Sequence, residues 1–252
     1  MITLLEQLNY NPPKIEEYQK GDLTVVYDTK YGYYRFWIGP PETARELMTY
    51  NTINHEQAYE LYSHYYFAKG HCICTGLGFG VRESWLLNKK DVSKITVIEK
   101  TKEVIEYQQL MNPELCKNIE IIHADVSDYK GKCDTLLIDH IEDEPDTYKL
   151  SQAYNLSQNI DCDVLWMWAL EDMVTVLQRN HNKTKPFTTK VEVYNQIKTA
   201  FYLDSLPKVD EELLDLLYFM YNSKHVSNYE QLSRSYGPKS SLHPGKLIGD
   251  VE

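Results

Sequence analysis

The chain has 252 residues, of which 42% are hydrophobic, and it carries a formal net charge of −11. This composition supports one large folded domain, or a core domain with small appendages, and excludes a disordered chain. The excess of acid disfavours a nucleic-acid-binding protein, because such proteins present basic stripes to phosphates and the sequence has none.

The sequence predicts neither a membrane span nor a secretion signal. No run of about 18 apolar residues occurs, and the first residues lack the basic start and long apolar stretch of a signal peptide. The five cysteines are odd in number and include neither a C-x-x-C pair nor a zinc-ligand pattern. We therefore expect a cytoplasmic protein with reduced thiols and no metal site.

Residues 1–70 are predicted to form a small β-hairpin and helical extension. Residues 1–20 suggest a short helix followed by a proline-containing linker. Alternating β-branched and aromatic residues around a Lys-Tyr-Gly turn predict a hairpin over residues 22–38. The sequence GPPE then favours a helix start, and the pattern of residues 42–67 is mostly helical.

Residues 71–180 alternate between short apolar runs and helical patterns. Five strands are predicted, in the segments HCICTG, KITVIEK, NIEIIHAD, CDTLLIDH and CDVLWMW, with helices between them. This alternation is typical of parallel strands that are joined by right-handed crossovers and covered by helices on both faces. The expected fold class is therefore α/β, a Rossmann-like three-layer α/β/α sandwich with a mostly parallel sheet.

Residues 181–252 are predicted to form a helical C-terminal region packed on this core. The segments KVEVYNQIKTAFYL and DEELLDLLYFMYN carry apolar residues at helical spacing. The final segment, SYGPKSSLHPGKLIGDVE, has the composition of a loop. A sixth and a seventh strand are not evident in the sequence.

The first predicted strand runs directly into a glycine-rich loop, CICTGLGFG, with Gly76, Gly78 and Gly80 at alternate positions. Such a loop lies at the carboxyl edge of the sheet, where open α/β sheets bind ligands, and glycine permits close approach to the main chain. The dinucleotide pattern G-x-G-x-x-G would need a glycine where Val81 stands, and a phosphate loop would need G-K-[ST]. The loop therefore fits NAD and ATP poorly.

An acidic residue, Glu99, ends the second predicted strand, 23 residues after Gly76. A carboxylate at this position could accept hydrogen bonds from both hydroxyls of a ribose. The alternative is a strand-end charge paired with Lys100 or Lys102. The combination with the glycine loop favours ribose binding.

Two further acids follow the third and fourth strands. Asp125 could bind the amino group of an adenine, with the backbone N–H of Val126 as a second contact, or it could cap a turn. Asp139 ends the fourth strand and is expected to face the same crevice, because the carboxyl ends of parallel strands meet at one edge.

As a set, these residues resemble the class I S-adenosylmethionine-dependent methyltransferases over about residues 71–170. CTGLGFG is similar to the first glycine motif of that family, and Glu99 and Asp125 are similar to its acids after the second and third strands. The resemblance implies S-adenosylmethionine as cofactor. The implied cofactor-binding residues are Thr75, Gly76, Gly78, Gly80, Glu99, Lys100, Asp125, Val126 and Asp139.

A narrower resemblance is to the spermidine-synthase-like branch of this family. TGLGFGVRE and ITVIEKTKEVIEY are similar to its glycine loop and to its second strand and helix. The acid–serine pair that the branch carries after the fourth strand is Asp139–His140 here, and the helical C-terminal region replaces the usual last β-hairpin. The first departure weighs against assignment of an aminopropyltransferase, and the second is a departure from the class I fold.

The reaction that the resemblance implies is displacement at the sulfonium methyl group, in which positioning supplies much of the rate. Asp139 and His140 are the candidate catalytic residues if a base is needed. The acids Asp139, Glu142, Asp143, Glu144 and Asp146 could attract an amine or a divalent metal, although a solvated acidic loop is the commoner outcome.

The expected function is that of a methyltransferase for a small-molecule substrate. The acidic residues after the fourth strand are compatible with a cationic substrate. The alternatives are an aminopropyltransferase that uses decarboxylated S-adenosylmethionine, and a protein that binds the cofactor without turnover. Neither a nucleic acid nor a membrane is an expected partner, and an oligomer is compatible with the sequence.

Overall fold

The computed structural model describes residue 5 and residues 10–40, 42–53, 55–140, 146–183 and 188–222. Two β-sheets and nine helices are present in these segments. The expected helix near the N-terminus and the final loop lie almost entirely outside the described residues.

The N-terminal sheet is antiparallel, with strand order β1-β2-β3-β4. Its strands are β1 (Tyr18–Lys20), β2 (Leu23–Asp28), β3 (Tyr33–Ile38) and β4 (Arg45–Tyr50). The predicted hairpin is confirmed, since β2 pairs with β3 from Leu23 opposite Ile38 to Asp28 opposite Tyr33. Gly32, with a φ of 77°, makes the tight turn between them possible.

The central sheet has five parallel strands in the order β7-β6-β5-β8-β9. They are β5 (Gly70–Thr75), β6 (Val92–Glu99), β7 (Glu120–His123), β8 (Gly131–Ile138) and β9 (Ile160–Met167). The chain leaves β5 towards β7 and then returns to place β8 on the other side of β5. The ends of β5 and β8 therefore form the switch point at which such sheets bind ligands.

Helices connect these strands and cover both faces of the sheet, so that the predicted Rossmann-like sandwich is confirmed. Before the sheet come α1 (Glu56–Glu60) and α2 (Tyr62–Phe67). Within it are α3 (Val81–Leu86), α4 (Lys102–Met111), α5 (Pro113–Asn118), a 3₁₀ turn (Val126–Asp128) and α6 (Asp146–Asn159). After it come α7 (Leu170–Asn182), α8 (Lys190–Ala200) and α9 (Glu211–Asn222).

The core follows from the continuous apolar runs of the inner strands. Ile73 in β5, Leu136 and Leu137 in β8 and Leu165 in β9 are completely buried. Strands with apolar residues on both faces must be buried on both faces, and the helices bury them. The strand ends are thereby fixed, and residues that follow β5, β6 and β8 meet at one edge.

The outer edge of β9 is covered by the segment between α8 and α9. The N–H of Leu165 donates to the carbonyl of Ser205 at 2.9 Å, and the Ser205 hydroxyl donates to the carbonyl of Cys162 at 2.9 Å. This loop satisfies backbone groups that an additional strand would otherwise pair.

The prediction that residues 42–67 are mostly helical is wrong for their first part, which forms β4, and the linker predicted before residue 20 contains β1. The sequence of β4, RELMTY, includes the helix formers Glu, Leu and Met. Pairing with β3, from Tyr34 opposite Tyr50 to Ile38 opposite Arg45, overrides that local preference. The helical prediction holds for α1 and α2.

Candidate functional site

The glycine-rich loop joins β5 to α3 beside the end of β8. Gly76, Gly78 and Gly80 have φ angles of 74°, 48° and 71°, a conformation that residues with a Cβ atom rarely adopt. A Cβ atom at Gly76 would lie 2.8 Å from the carbonyl oxygen of Asp139. Glycine at this position is therefore what allows the ends of β5 and β8 to lie side by side.

Most backbone N–H groups of the loop already donate to acceptors of the protein. The pairs are Gly76 N to Ile98 O at 2.9 Å, Leu77 N to Glu99 Oε2 at 2.9 Å, Phe79 N to Met48 Sδ at 3.2 Å, and Gly80 N to Leu77 O at 2.8 Å. A pyrophosphate needs several free N–H groups at such a loop. The geometry therefore agrees with the poor fit to a dinucleotide that the glycine spacing predicts.

Glu99 stands at the end of β6 with its carboxylate turned towards the loop. Its Oε2 accepts from the N–H of Leu77, and its Oε1 accepts from the N–H of Thr101 at 2.7 Å. Two backbone donors thus fix the carboxylate, while each oxygen keeps a second lone pair. The structure brings this acid and the glycine loop together in one site.

The N-terminal sheet holds the opposite side of the loop. The ring of Phe36 in β3 stacks on the ring of Phe79, with a centroid distance of 4.7 Å. The thioether of Met48 in β4 accepts from the N–H of Phe79. Gln108 of α4 donates from Nε2 to the carbonyl of Gly78 at 2.7 Å. The loop is therefore clamped between the two sheets.

Thr75, Asp139 and His140 form a connected group at the ends of β5 and β8. The Thr75 hydroxyl accepts from the N–H of Asp139 at 2.9 Å and shares a hydrogen bond of 2.6 Å with Nδ1 of His140. Both candidate catalytic residues are thus positioned by one side chain at the end of the first central strand.

Arg82 and Glu83 of α3 form a buried ion pair beneath this group, and their side chains are only 3% and 1% exposed. The Arg82 guanidinium donates from Nε to the Glu83 carboxylate at 2.8 Å and from Nη2 to the carbonyl of Gly76 at 2.6 Å. Its Nη1 lies 3.7 Å from Oδ2 of Asp139. One arginine therefore ties the loop, α3 and the end of β8 together.

The surroundings of Asp139 and His140 shift their protonation in opposite ways. Burial raises the pKa of Asp139 to about 6, since it outweighs the lowering effect of Arg82, and Glu83 raises the pKa further. Partial enclosure of the ring and the positive charges of Lys100 and Arg82 lower the pKa of His140 to about 4. His140 is therefore a neutral and weak base at pH 7, whereas Asp139 is mostly ionised there.

Asp125 follows β7 and caps the 3₁₀ turn. Its Oδ1 accepts from the N–H of Ser127 at 2.9 Å and from the Ser127 hydroxyl at 2.8 Å, and these bonds lower the pKa of Asp125. Val126 is buried beside it. The positive charge of Lys100 acts on both Asp125 and His140. The adenine role of Asp125 and Val126 stays a prediction.

A second group of buried polar side chains lies on the C-terminal side of the sheet. We name Ser63, Trp166 and Glu171 the Glu171 cluster; each is at most 1% exposed. Burial raises the pKa of Glu171 to about 8, so that this carboxyl is mostly protonated at pH 7. The Ser63 hydroxyl and the Trp166 N–H lie next to the Glu171 carboxyl and stabilise its charged form, which lowers its pKa to a smaller extent.

The buried Arg82–Glu83 pair and the buried Glu171 were not predicted from the sequence. The signal for the ion pair is the sequence VRE directly after the glycine loop, where two charges enter an otherwise apolar helix. The signal for Glu171 is the pair Glu171–Asp172, which follows the apolar run VLWMWAL directly. Neither pattern by itself distinguishes a buried charge from a solvated one.

Of the five acids predicted near the fourth strand, residues 142–144 lie outside the described residues. Asp139 ends up at the switch point, and Asp146 begins α6. Among the residues that the structure describes, no group of three or more His, Cys, Asp or Glu side chains is placed to hold a metal ion. No helix in the same segments is both long and apolar enough to cross a membrane.

Solved structures with a similar arrangement include transferases of several kinds. Spermidine synthase from Thermotoga maritima is 15% identical over 83% of this chain and 85% of its own, with a TM-score of 0.43. The dimethyltransferase RosA from Streptomyces davawensis is 16% identical over 50% of this chain and 42% of its own, with a TM-score of 0.36.

A third similar structure is protein arginine methyltransferase 10 of Arabidopsis thaliana, 10% identical over 59% of this chain and 52% of its own, with a TM-score of 0.34. No protein-family model and no curated protein sequence matches the chain. The similarity to known proteins is thus one of fold.

The close approach at Gly76 predicts a large effect of one added methyl group. Gly76→Ala forces an alanine into the left-handed region and places its Cβ against a backbone carbonyl. Gly32→Ala is the matched control, because Gly32 has a φ of 77° but nothing within 4 Å of its Cβ position. We expect the control to lose about 1–2 kcal/mol in urea unfolding and Gly76→Ala to lose at least about 1 kcal/mol more. Equal losses would show that the strand ends are not closely packed.

The protonated carboxyl of Glu171 predicts an unusual pH dependence of stability. The pKa of Glu171 in the folded protein, about 8, lies above that of an unfolded glutamate. At pH values between the two, the folded state therefore binds one proton more than the unfolded state. The free energy of unfolding should therefore fall as the pH rises from about 5 to about 8. Glu171→Gln should remove this fall. At about pH 8 its free energy of unfolding should therefore lie above that of the wild type by a few kcal/mol, as an order of magnitude. Urea unfolding at several pH values measures it, with the surface change Glu114→Gln as control.

Proposed function

We propose that the protein is an S-adenosylmethionine-dependent methyltransferase that acts on a small-molecule acceptor in the cytoplasm. The observation that carries the proposal is the hydrogen bond between the N–H of Leu77 and the Glu99 carboxylate. It joins the glycine loop after the first central strand to the acid after the second. Free thiols at all five cysteines fit the cytoplasm.

The residues at this edge fit the nucleoside end of the cofactor. Glu99 would accept the ribose hydroxyls with its remaining lone pairs, and Gly76 and Gly78 would allow a ring system to approach the backbone. The loop has few free N–H groups for a phosphate, and S-adenosylmethionine carries no phosphate. A nucleoside without phosphate is the ligand that this combination of groups favours.

When bound, S-adenosylmethionine would supply an electrophilic methyl group on a positively charged sulfur. Asp139 would lie at the switch point and could receive the proton that a nucleophile loses. The low pKa of His140 makes it the weaker base of the pair, and its hydrogen bond to Thr75 suits it to positioning. Much of the rate would come from orientation by these residues.

The charges around the switch point favour a cationic acceptor over an anionic one. Asp139 and Glu83 are acids, and the Arg82 guanidinium, which is paired with Glu83 and lies 3.7 Å from Asp139, offsets one of these two negative charges, so that one remains. Opposite charge attracts a ligand and slows its departure. The net charge of −11 also disfavours a nucleic-acid acceptor, because the phosphates of a nucleic acid are negatively charged.

The assignment of Glu99 predicts a loss of cofactor affinity on Glu99→Gln. The amide keeps the shape and can accept from the N–H of Leu77, but its NH2 group replaces the acceptor of the Thr101 N–H and the charge is lost, so bonds to the ribose weaken. We expect the Kd for S-adenosylmethionine, measured by titration calorimetry, to rise at least about tenfold. Glu114→Gln on the surface of α5 should leave it unchanged.

The same titration distinguishes an error in the assignment of Glu99 from an error in the proposed function. An unchanged Kd in a folded Glu99→Gln variant would remove Glu99 from the site but not the cofactor. Absence of saturable binding to the wild type would reject the proposed function. Binding without transfer to amine, hydroxyl or thiol acceptors would leave a non-catalytic binding protein.

A second candidate function is transfer of an aminopropyl group from decarboxylated S-adenosylmethionine. The acidic residues Asp139 and Glu83 favour this reaction. A cofactor carboxylate near Asp139 and Glu83 would be repelled, whereas an amine would be attracted. This candidate predicts that the decarboxylated cofactor has the lower Kd and that Asp139→Asn reduces the preference at least about tenfold. A preference of the wild type for the carboxylated form, in the same calorimetric titration, would reject it.

A further inference from the structure

Two of the five cysteines lie side by side on neighbouring strands of the central sheet. Cys133 in β8 and Cys162 in β9 are register partners in a parallel pair of strands. Register partners in a sheet have Cα atoms about 4.8 Å apart, and their side chains point to the same face. This separation falls inside the Cα range of a disulfide, about 4.4–6.8 Å. The sheet therefore places the two thiols where a bond between them needs no change of register.

The two thiols also contact each other. The Cys133 thiol donates a hydrogen bond to the Cys162 sulfur, and both thiols are free. This bond lowers the pKa of Cys162 against burial and the charges of Asp161 and Asp163, which raise it, and Ser205 lowers it further. The same bond, together with burial, raises the pKa of Cys133. Cys162 is therefore the thiol that ionises first, and the thiolate is the reactive form.

Cys162 is the more accessible thiol of the pair. It is partly exposed between two exposed acids on an edge strand of the sheet, whereas Cys133 is only 5% exposed. A small oxidant that approaches this edge meets the Cys162 sulfur, and the Cys133 thiol lies behind it. A reactive cysteine with a second thiol beside it is the arrangement that favours a disulfide over further oxidation.

The other three cysteines are not placed to compete for either partner. Cys72 in β5 is the register partner of Thr135, two residues beyond Cys133. Its Cα atom is therefore about 8 Å from that of Cys133, which is farther than a disulfide spans. Cys74 lies two residues farther along β5, and Cys116 lies on α5 beside β7, the edge strand on the opposite side of the sheet from β9. The sheet thus selects one pair of cysteines.

We propose that Cys133 and Cys162 form a reversible disulfide when the protein meets a hydroperoxide. The Cys162 thiolate attacks one oxygen of the peroxide, the O–O bond breaks, and a sulfenic acid forms. The Cys133 sulfur then attacks the Cys162 sulfur and displaces that oxygen as water. With hydrogen peroxide, two thiols and one peroxide become one disulfide and two waters, and two electrons pass from sulfur to oxygen.

The reverse step needs a thiol reductant such as glutathione. Because Cys162 is partly exposed, a reductant can attack its sulfur, and exposed disulfides are the ones that exchange readily. Two glutathione molecules return the two electrons and leave as glutathione disulfide. While the bond lasts, it ties the edge strand β9 to β8, the strand that ends beside Asp139. The inference does not rest on the proposed function, since no cofactor takes part.

Peptide mapping of the oxidised protein tests the proposal directly. Trypsin cleaves after Lys132, Lys149 and Arg179, so that the two cysteines fall on separate peptides, 133–149 and 150–179. The folded protein is treated with equimolar hydrogen peroxide, alkylated, digested and analysed by mass spectrometry. We expect the two peptides to be joined, and the thiol count of the unfolded chain to fall from five to three. Millimolar reduced glutathione should restore the count to five.

Serine variants show whether the bond belongs to this pair. Cys133→Ser and Cys162→Ser each remove one partner, so neither should give the joined peptides. Cys116→Ser is the matched control, because it removes a partly exposed thiol that lies away from the pair. It should keep the joined peptides, with a thiol count that falls from four to two, one fewer at each stage than the five and three of the wild type. The map of the wild type decides the matter even where a variant does not fold.

The inference is overturned if the peroxide oxidises Cys116 or Cys72 while the two peptides stay separate. It is equally overturned if the joined peptides come from a disulfide-bonded dimer on a non-reducing gel, or if they form no faster in the folded protein than in urea. Resistance of the bond to glutathione in the folded protein would reject its reversibility.

Discussion

The position of the Arg82 guanidinium is the constraint on which the site depends. It donates to the carbonyl of Thr75, the last residue of β5, at 3.3 Å and to that of Gly76, the first residue of the loop, at 2.6 Å, and it lies beside Asp139 at the end of β8. A buried charge of this kind needs a partner, which Glu83 supplies from the same turn. Because desolvation offsets most of the attraction in such pairs, the gain is in position rather than in stability. Arg82 thus joins the loop to Asp139, and Thr75 adds His140 to the same group.

Glu99 holds the same loop from the neighbouring strand. Its two carboxylate oxygens accept from the N–H groups of Leu77 and Thr101, so that the end of β6 and the start of the loop are joined by a charge that needs no cationic partner. Arg82 and Glu99 thus fix the loop from opposite signs of charge, and the acceptor capacity that remains at this edge is the second lone pair of each Glu99 oxygen.

The central sheet and the contact between the glycine loop and Glu99 were predictable because their signals are local. The strands of the sheet are continuous apolar runs, and Gly76 and Glu99 stand directly at strand ends, where neighbouring strands must bring them together. β4 was not predictable, since its helix-forming residues become a strand only through pairing with β3. Arg82 and Glu171 were missed because a charge on an amphipathic helix is usually solvated. Only the tertiary packing shows that these two are buried.

The N-terminal sheet is the part of the molecule whose role changes most once its packing is known. From the sequence it is an appendage, but its Phe36 stacks on Phe79 and its Met48 accepts the N–H of the same residue. A Cβ atom at Gly78 would lie 2.5 Å from the Met48 sulfur, so this glycine is needed for the contact. The loop conformation is therefore set jointly by both sheets. It follows that β3 and β4 help to hold the glycine loop in place, and that separating the sheets would release it.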